Sequence, residues 1–419
     1  MIHPAGPVPL AVFDKAAWRV WQRYAQPTPL NNSAADYELA RRGFLQPVPS
    51  SVPVKRPAPT AQRLTAWLHL TNACNLACPY CYLRKTPEHM DWLTARAAVE
   101  RLITLAQRYN YPTLKLKYAG GEPLLRFPFL QRVHAYAQQR TAEAGLNLEA
   151  VVITNGTLLH AEQVNYFARQ GIAVAVSLDG LGPDHDRQRP FPNGRGSFDI
   201  VAHNLTLASS SGADINVNIT VTDWNLDGLP NLVAWLLGAN LPFSLNFYRE
   251  NDCAGAHPDL TLHNECLIAG LQRVYQVIEA HLPPWSLLGR LTDRGAATTA
   301  HNFVCAAGRD YLVIDHKGRI TPCQMLLGQH FVTDIHAENP LTIVREPTPQ
   351  FHNLPVEEKE PCKSCPWRYW CAGGCPLVTF RHTGRFDVRS PFCKVYQAIY
   401  PEVLRLEALR LIQYTQRPG

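Results

Sequence analysis

Nowhere in this chain does an apolar run reach the length needed to cross a bilayer, and its first residues lack the charged-then-apolar order of a secretory signal. Those two absences predict a cytoplasmic protein with no membrane partner. Charge is also scarce: 18% of the residues are charged, and the net charge is only +6 over 419 residues. That balance suits an acidic peptide partner but falls well short of a nucleic-acid footprint, so no nucleic-acid partner is expected. With 46% hydrophobic residues the composition is that of a globular protein long enough for two or three domains.

What the chain does have is cysteine. Twelve in a large chain with no secretory signal read as ligands, not as a disulfide frame. Three of them, Cys74, Cys78 and Cys81, are spaced C-x3-C-x2-C, with Tyr80 before and Tyr82 after the last. Seven more lie between Cys305 and Cys393, and only Cys253 and Cys266 stand apart. Three thiolates on one loop can grip a soft metal or an iron–sulfur core. A zinc loop, or three unrelated buried thiols, remains the alternative at this level.

Residues 1–46 form a short leading segment, with Phe13, Trp18, Trp21 and Tyr24 near helical spacing and a second helix expected over Ala34–Arg42, ending at Gly43. It is followed by a linker at 47–62 with five prolines from Pro47 to Pro59, a density that favours an extended, semi-rigid chain. From 63 to 250, short apolar strands alternate with helical stretches such as Trp92–Tyr109 and Ala161–Gln170. The strands are expected at Ala66–Leu70, Thr113–Tyr118, Ala150–Thr154, Ile172–Ser177, Ile215–Val221 and Phe243–Tyr248. Six such units predict an α/β fold, a partial (β/α)6 TIM-like barrel whose chemistry gathers at the C-terminal strand ends. A bridging region (251–302), a cysteine-rich domain (303–396) and a C-terminal helix (397–419) complete the division.

The unusual residues do follow strand ends. The cysteine loop follows the first strand, Ala119-Gly120-Gly121-Glu122-Pro123 the second, Thr154-Asn155-Gly156 the third and Ser177-Leu178-Asp179-Gly180 the fourth. The stretch His185–Arg189 comes next, and the sixth strand ends in Asn246–Arg249. With these features the chain resembles the radical S-adenosylmethionine (SAM) superfamily. There, three cysteines hold a 4Fe–4S cluster whose open iron chelates SAM. By that resemblance Cys74, Cys78 and Cys81 are the cluster ligands and Tyr80 flanks the cofactor. Gly120, Gly121 and Glu122 would meet the SAM amino group through backbone and carboxylate, since an ammonium needs acceptors and close backbone approach needs glycine. Ser177 and Arg189 would contact its carboxylate or ribose, and Asn155 would line the pocket. Taken alone, Glu122 could be solvated, Ser177 a strand-end cap and Arg189 a surface ion pair. The leading segment resembles the end of a winged-helix leader-peptide recognition element, and a plain helical extension explains it as well.

Downstream, the order is C-x17-C, a gap of 38, then C-x2-C-x5-C-x3-C-x17-C. The first pair flanks Tyr311–Ile314 and Arg319–Thr321, which read as a hairpin that brings Cys305 and Cys323 together. Gly373-Gly374 allows a tight loop between Cys371 and Cys375. This arrangement resembles the SPASM extension of radical SAM enzymes that modify peptides and proteins. The resemblance implies two auxiliary 4Fe–4S clusters, one on Cys305, Cys323 and Cys375, the other on Cys362, Cys365, Cys371 and Cys393. That makes three clusters in all, with SAM as cosubstrate. Structural zinc is the rival, with His301 available to a second tetrad. Some SPASM chains carry a further cysteine just before the first, and Ala296–Val304 has none. The first auxiliary cluster would then have an open iron, a substrate thiolate, Cys253 or Cys266 as its fourth position.

The implied function is a radical SAM peptide maturase. It would cleave SAM reductively, take hydrogen from a ribosomally made peptide and form a C–C, C–O or thioether cross-link. A flavodoxin or ferredoxin would supply electrons. Alternatives are a sulfatase-maturase type oxidase, a peptide epimerase using Cys253 or Cys266 as hydrogen donor, and a non-catalytic metal-binding scaffold. Sulfatase maturases carry an Asp base after the second SPASM cysteine, whereas Cys323 precedes Gln324, which takes no proton at neutral pH. No catalytic residue is assigned from sequence.

Overall fold

In the computed structural model, residues 13, 15–31, 33–41, 44–45, 62–253, 257–293 and 300–415 are described. The proline-rich linker, apart from residue 62, lies outside them. The core is one sheet of nine strands: β1 (Arg63–Thr71), β2 (Thr113–Gly120), β3 (Asn147–Thr154), β4 (Ile172–Ser177), β5 (Ile215–Val221), β6 (Phe243–Phe247), β7 (Tyr311–Ile314), β8 (Arg319–Thr321) and β9 (Thr333–Asp334). Their order is β6-β5-β4-β3-β2-β1-β7-β8-β9. Strands β1 to β6 pair in parallel with their sequence neighbours, giving the expected open (β/α)6 arrangement.

Pleat alternation explains the two faces of β1. Leu64, Ala66, Leu68 and Leu70 face the large helix-covered core, whereas Trp67 joins a second apolar cluster with Ala119, Val313 and Cys323. The Trp92–Arg108 helix buries Ala95, Val99, Leu102 and Ala106 on one face, and its first turn is capped by Asp91, which accepts from Thr94 N. Strand β3 begins three residues earlier than its apolar run suggests. There Glu149, opposite Lys115, forms ion pairs with Lys115 and Arg63, and charge pairing stands in for burial.

Two features were not visible along the chain. Strand β7 pairs in parallel with β1, Thr65 to Leu68 lying opposite Tyr311 to Ile314, and then turns into the antiparallel β7–β8 hairpin. The cysteine-rich region therefore continues the barrel sheet instead of starting a separate one. The C-terminal helix, Cys393–Thr415, begins four residues before the expected start at 397, so Cys393 is its first residue. The bridging region supplies the Asn264–Ala280 helix, which buries Leu267, Leu271, Val274 and Ile278. Arg290 O accepts from Leu245 N of β6.

Among the described residues before the linker there are two α-helices, Lys15–Gln22 and Ala34–Arg41, a 3-10 turn at Arg23–Ala25, and no strand. Phe13, Val20, Trp21, Leu39 and Phe44 pack together there. A wing of strands is therefore not seen in that part of the leading segment.

Candidate active site

The cysteine loop is fastened to the end of β2 by backbone. Gly121 N donates to Thr71 O at 2.8 Å and Glu122 N to Ala73 O at 2.9 Å. A Cβ on Gly120 would lie 2.4 Å from Thr71 O, and one on Gly121 2.4 Å from Ala73 O. Both glycines are therefore required by contact with the loop that carries the cysteines. The far side is held by Ala77 N on Pro190 O at 2.7 Å and by the Lys85 ammonium on Leu76 O. Burial pushes the Cys78 thiol up to about 11 and raises those of Cys74 and Cys81. Such thiols ionise readily only with a cation or metal beside them.

Glu122 is not solvated. It is fully buried, and its carboxylate accepts from Asn155 N at 2.7 Å, Thr154 Oγ1 at 2.8 Å and Leu124 N at 3.0 Å. It ties the end of β2 to the end of β3. Burial raises its carboxyl to about 7 against these three donors. Asn155 stands beside the loop, donating through Nδ2 to Asn75 Oδ1 at 2.9 Å. Ser177 is the half-buried last residue of β4, opposite Asn218.

Arg189 is neither a surface ion pair nor free. Its Nε donates to Asp179 at 2.6 Å and its Nη2 to the same carboxylate at 3.4 Å, and its guanidinium stands 5.3 Å from the centre of the Tyr80 ring. The Tyr80 hydroxyl donates to Asp179 at 2.5 Å, and burial above all holds that phenol well above its ordinary range. Thr220 N also donates to Asp179, at 2.8 Å. Asp179 is completely buried and joins the cysteine loop, the end of β4, β5 and Arg189. Sequence reading noted it in the Ser177–Gly180 rim and gave it no role. Its signal was a carboxylate following an apolar strand, with Arg189 ten residues on.

The seven downstream cysteines separate into two groups. Cys362, Cys365, Cys371 and Cys393 line one cleft. Cys305, Cys323 and Cys375 line another cavity of about 310 Å³, inside the barrel against Thr65, Trp67 and Lys117. Burial pushes Cys362 up to about 11 and Cys371 to about 12. All of these cysteines are free thiols. Among the described residues, no three His, Cys, Asp or Glu side chains converge as a site for a single ion. Three thiols rimming a cavity with no carboxylate or imidazole to complete a tetrad fit a polynuclear iron–sulfur core better than mononuclear zinc, whereas the four thiols of the other cleft fit either. Neither leftover cysteine lines the three-cysteine cavity. Cys253 lines a different cavity of about 330 Å³ and donates to Tyr82 O, and Cys266 is exposed on a helix. His301 lines neither cysteine group. Gln324 lines the three-cysteine cavity, and its Oε1 accepts from Tyr311 Oη at 3.2 Å.

Among relatives, the chain is 30% identical to a serine-type anaerobic sulfatase-maturating enzyme of Bacteroides thetaiotaomicron, over 47% of this chain and 46% of that one. It is 24% identical to an AdoMet-dependent heme synthase of Oleidesulfovibrio alaskensis, over 80% of this chain and 87% of that one. The match thus spans less than half the length of the first of these relatives. Among solved structures, native anSMEcpe with bound AdoMet superposes with a TM-score of 0.67 at 17% identity, covering 82% of this chain and 99% of that one. Streptococcus suis SuiB bound to the precursor peptide SuiA gives 0.53 at 17% identity, covering 80% and 76%. At such identities these two likenesses establish the fold. The Radical SAM superfamily model matches residues 68–236, from within β1 to the helix before β6, which contains the cysteine loop, the two glycines, Glu122, Asp179 and Arg189. Over those residues the chain is similar to the radical SAM superfamily.

Proposed function

We propose that this protein is a cytoplasmic radical SAM maturase that forms a cross-link within a ribosomally made peptide. The observation that carries this reading is the sorting of ten cysteines: three on the strand-end loop, three rimming the barrel cavity and four rimming the outer cleft. Cys74, Cys78 and Cys81 would hold the SAM-binding 4Fe–4S cluster, and the other two groups the auxiliary clusters. Bound together, cluster and SAM would supply reductive cleavage of the sulfonium bond and radical abstraction of hydrogen from the substrate.

The chain's own residues do the positioning. Gly120 and Gly121 bring the cysteine loop against β2, so backbone there would meet the SAM amino group. Glu122 has its carboxylate engaged by three internal donors and acts by holding β2 and β3 in register. Asp179 fixes Arg189 through Nε and Nη2, leaving Nη1 for the SAM carboxylate. Asn155 and Ser177 line the pocket beside them.

A peptide substrate is supported by the SuiB complex with its precursor peptide and by the sulfatase-maturating relative. Gln324 in the barrel cavity disfavours the formylglycine chemistry of sulfatase maturases, because an amide already bound to Tyr311 is no base. A flavodoxin or ferredoxin is the proposed electron donor. The test is anaerobic purification with iron and sulfide counting, a SAM-cleavage assay, and mass spectrometry of a co-expressed precursor peptide. Iron and sulfide for three clusters, 5′-deoxyadenosine under reductant and loss of two hydrogens with blocked fragmentation are expected. Bound zinc, or no 5′-deoxyadenosine, would overturn the reading, and deuterium uptake without mass loss would redirect it to epimerisation.

A further inference from the structure

Lys359 is 1% exposed. Among the described residues its ammonium makes one hydrogen bond, to Ala372 O at 3.0 Å, and no ion pair with a carboxylate. A buried ammonium without an anion nearby is costly, so its surroundings must supply negative charge. The acceptor carbonyl lies on Cys371–Cys375, the short loop that joins the four-cysteine cleft to the three-cysteine cavity. Three consecutive residues of that loop, Ala372, Gly373 and Gly374, have φ of +48°, +78° and +74°. A Cβ on Gly373 would lie 2.6 Å from Lys359 Cδ and 3.3 Å from its Nζ, so the lysine is packed directly on the loop. Burial lowers the lysine's pKa from its ordinary value, and the thiols whose negative charge would raise it again come from both groups: Cys362 and Cys371 from one, Cys305 and Cys375 from the other.

We infer that Lys359 is a positioning residue for both auxiliary cluster sites, a single buried positive charge shared by the two cysteine groups that sets their reduction potentials together. This rests on the assignment of these cysteines to clusters. The physical cause is direct: a cation beside a cluster stabilises the form carrying one more electron and raises the potential. One charge between two sites shifts both in the same direction, which leaves the difference between them nearly unchanged. The surface lysine Lys363, four residues on, is paired with Glu360 and would have no such effect.

The experiment uses the full-length protein, reconstituted anaerobically. Iron and sulfide are counted and the cluster potentials measured by redox titration with electron paramagnetic resonance, for wild type, Lys359→Met, Lys359→Gln, Lys359→Arg and Lys363→Met. The expected result is a shift of both auxiliary couples to more negative potential in K359M and K359Q. K359R and K363M stay at the wild-type values, and the SAM-binding cluster does not move. Unchanged auxiliary couples in the fully loaded neutral variants would overturn the inference. So would an equal shift in K359R, since that places the effect in packing and not in charge. Should the neutral variants load no auxiliary iron, restored loading in K359R supports the shared charge and failed loading in K359R overturns it. A wild-type protein that itself carries only one cluster's iron refutes the underlying assignment, a result distinct from any of these.

Discussion

Asp179 and Arg189, both buried, meet at 2.6 Å, and the Tyr80 hydroxyl reaches the same carboxylate at 2.5 Å. The cysteine loop is thus locked to the end of β4 through one acid. Replacing Asp179 by Asn keeps the shape and removes the charge that orients the guanidinium. The expected outcome is at least tenfold weaker SAM binding, about 1.4 kcal/mol, with iron content unchanged, read by equilibrium dialysis. Asp179→Ala leaves a buried cation unpaired and should cost about 3–5 kcal/mol of stability in denaturant unfolding. Wild-type SAM affinity in D179N would refute the role.

Gly121 has no room for a methyl group, because its Cβ would meet Ala73 O at 2.4 Å and the Cys74 Cβ at 2.9 Å. Gly121→Ala should push the loop away from β2 and, on the proposed assignment, remove the iron of the Cys74, Cys78 and Cys81 site, about four per chain. Iron bound downstream should remain. Undiminished total iron would show that the loop tolerates the displacement.

The buried Glu122 carboxyl sits near 7 in the fold against an ordinary value of 4.5. Between those two values the folded state holds a proton that the unfolded state has lost, so stability from this group is greatest near pH 4.5 and falls as pH rises to 7. Two and a half units correspond to about 3 kcal/mol. Glu122→Gln cannot titrate and puts an amide NH2 against the Asn155 N–H. Its stability deficit relative to wild type should be largest near pH 5 and shrink towards pH 8, measured by anaerobic denaturant unfolding of the iron-free proteins. A deficit constant with pH would place the Glu122 titration outside this range.

Cys253 lines a cavity other than that of Cys305, Cys323 and Cys375, and Cys266 lies exposed on its helix. Cys253→Ala and Cys266→Ala should therefore leave the iron count at its wild-type value, while Cys375→Ala lowers it. Loss of iron on replacing Cys253 would make that residue the fourth ligand after all.

The cysteine spacings, the glycines and the six parallel strands could be read along the chain because each is local. Cysteine spacing within one loop is a matter of a few residues, and a strand's apolar alternation repeats every two. Strand edges were less legible: β3 starts early on Asn147–Glu149, where ion pairing replaces the apolar signal. The addition of β7 to β1, across some 240 positions, leaves no periodic trace. For the same reason the sequence by itself supplied the candidate residues and, by resemblance, the grouping of the cysteines, and tertiary structure decided which space each group rims. It lined the barrel cavity with Cys305, Cys323 and Cys375 and a separate cleft with Cys362, Cys365, Cys371 and Cys393, and engaged Glu122 internally. It also placed Asp179 beneath Arg189 and seated Lys359 on the loop between the two cysteine groups. A buried charge reveals its partner only when the fold excludes water around both, and that exclusion is a property of the packed chain, not of any stretch of it.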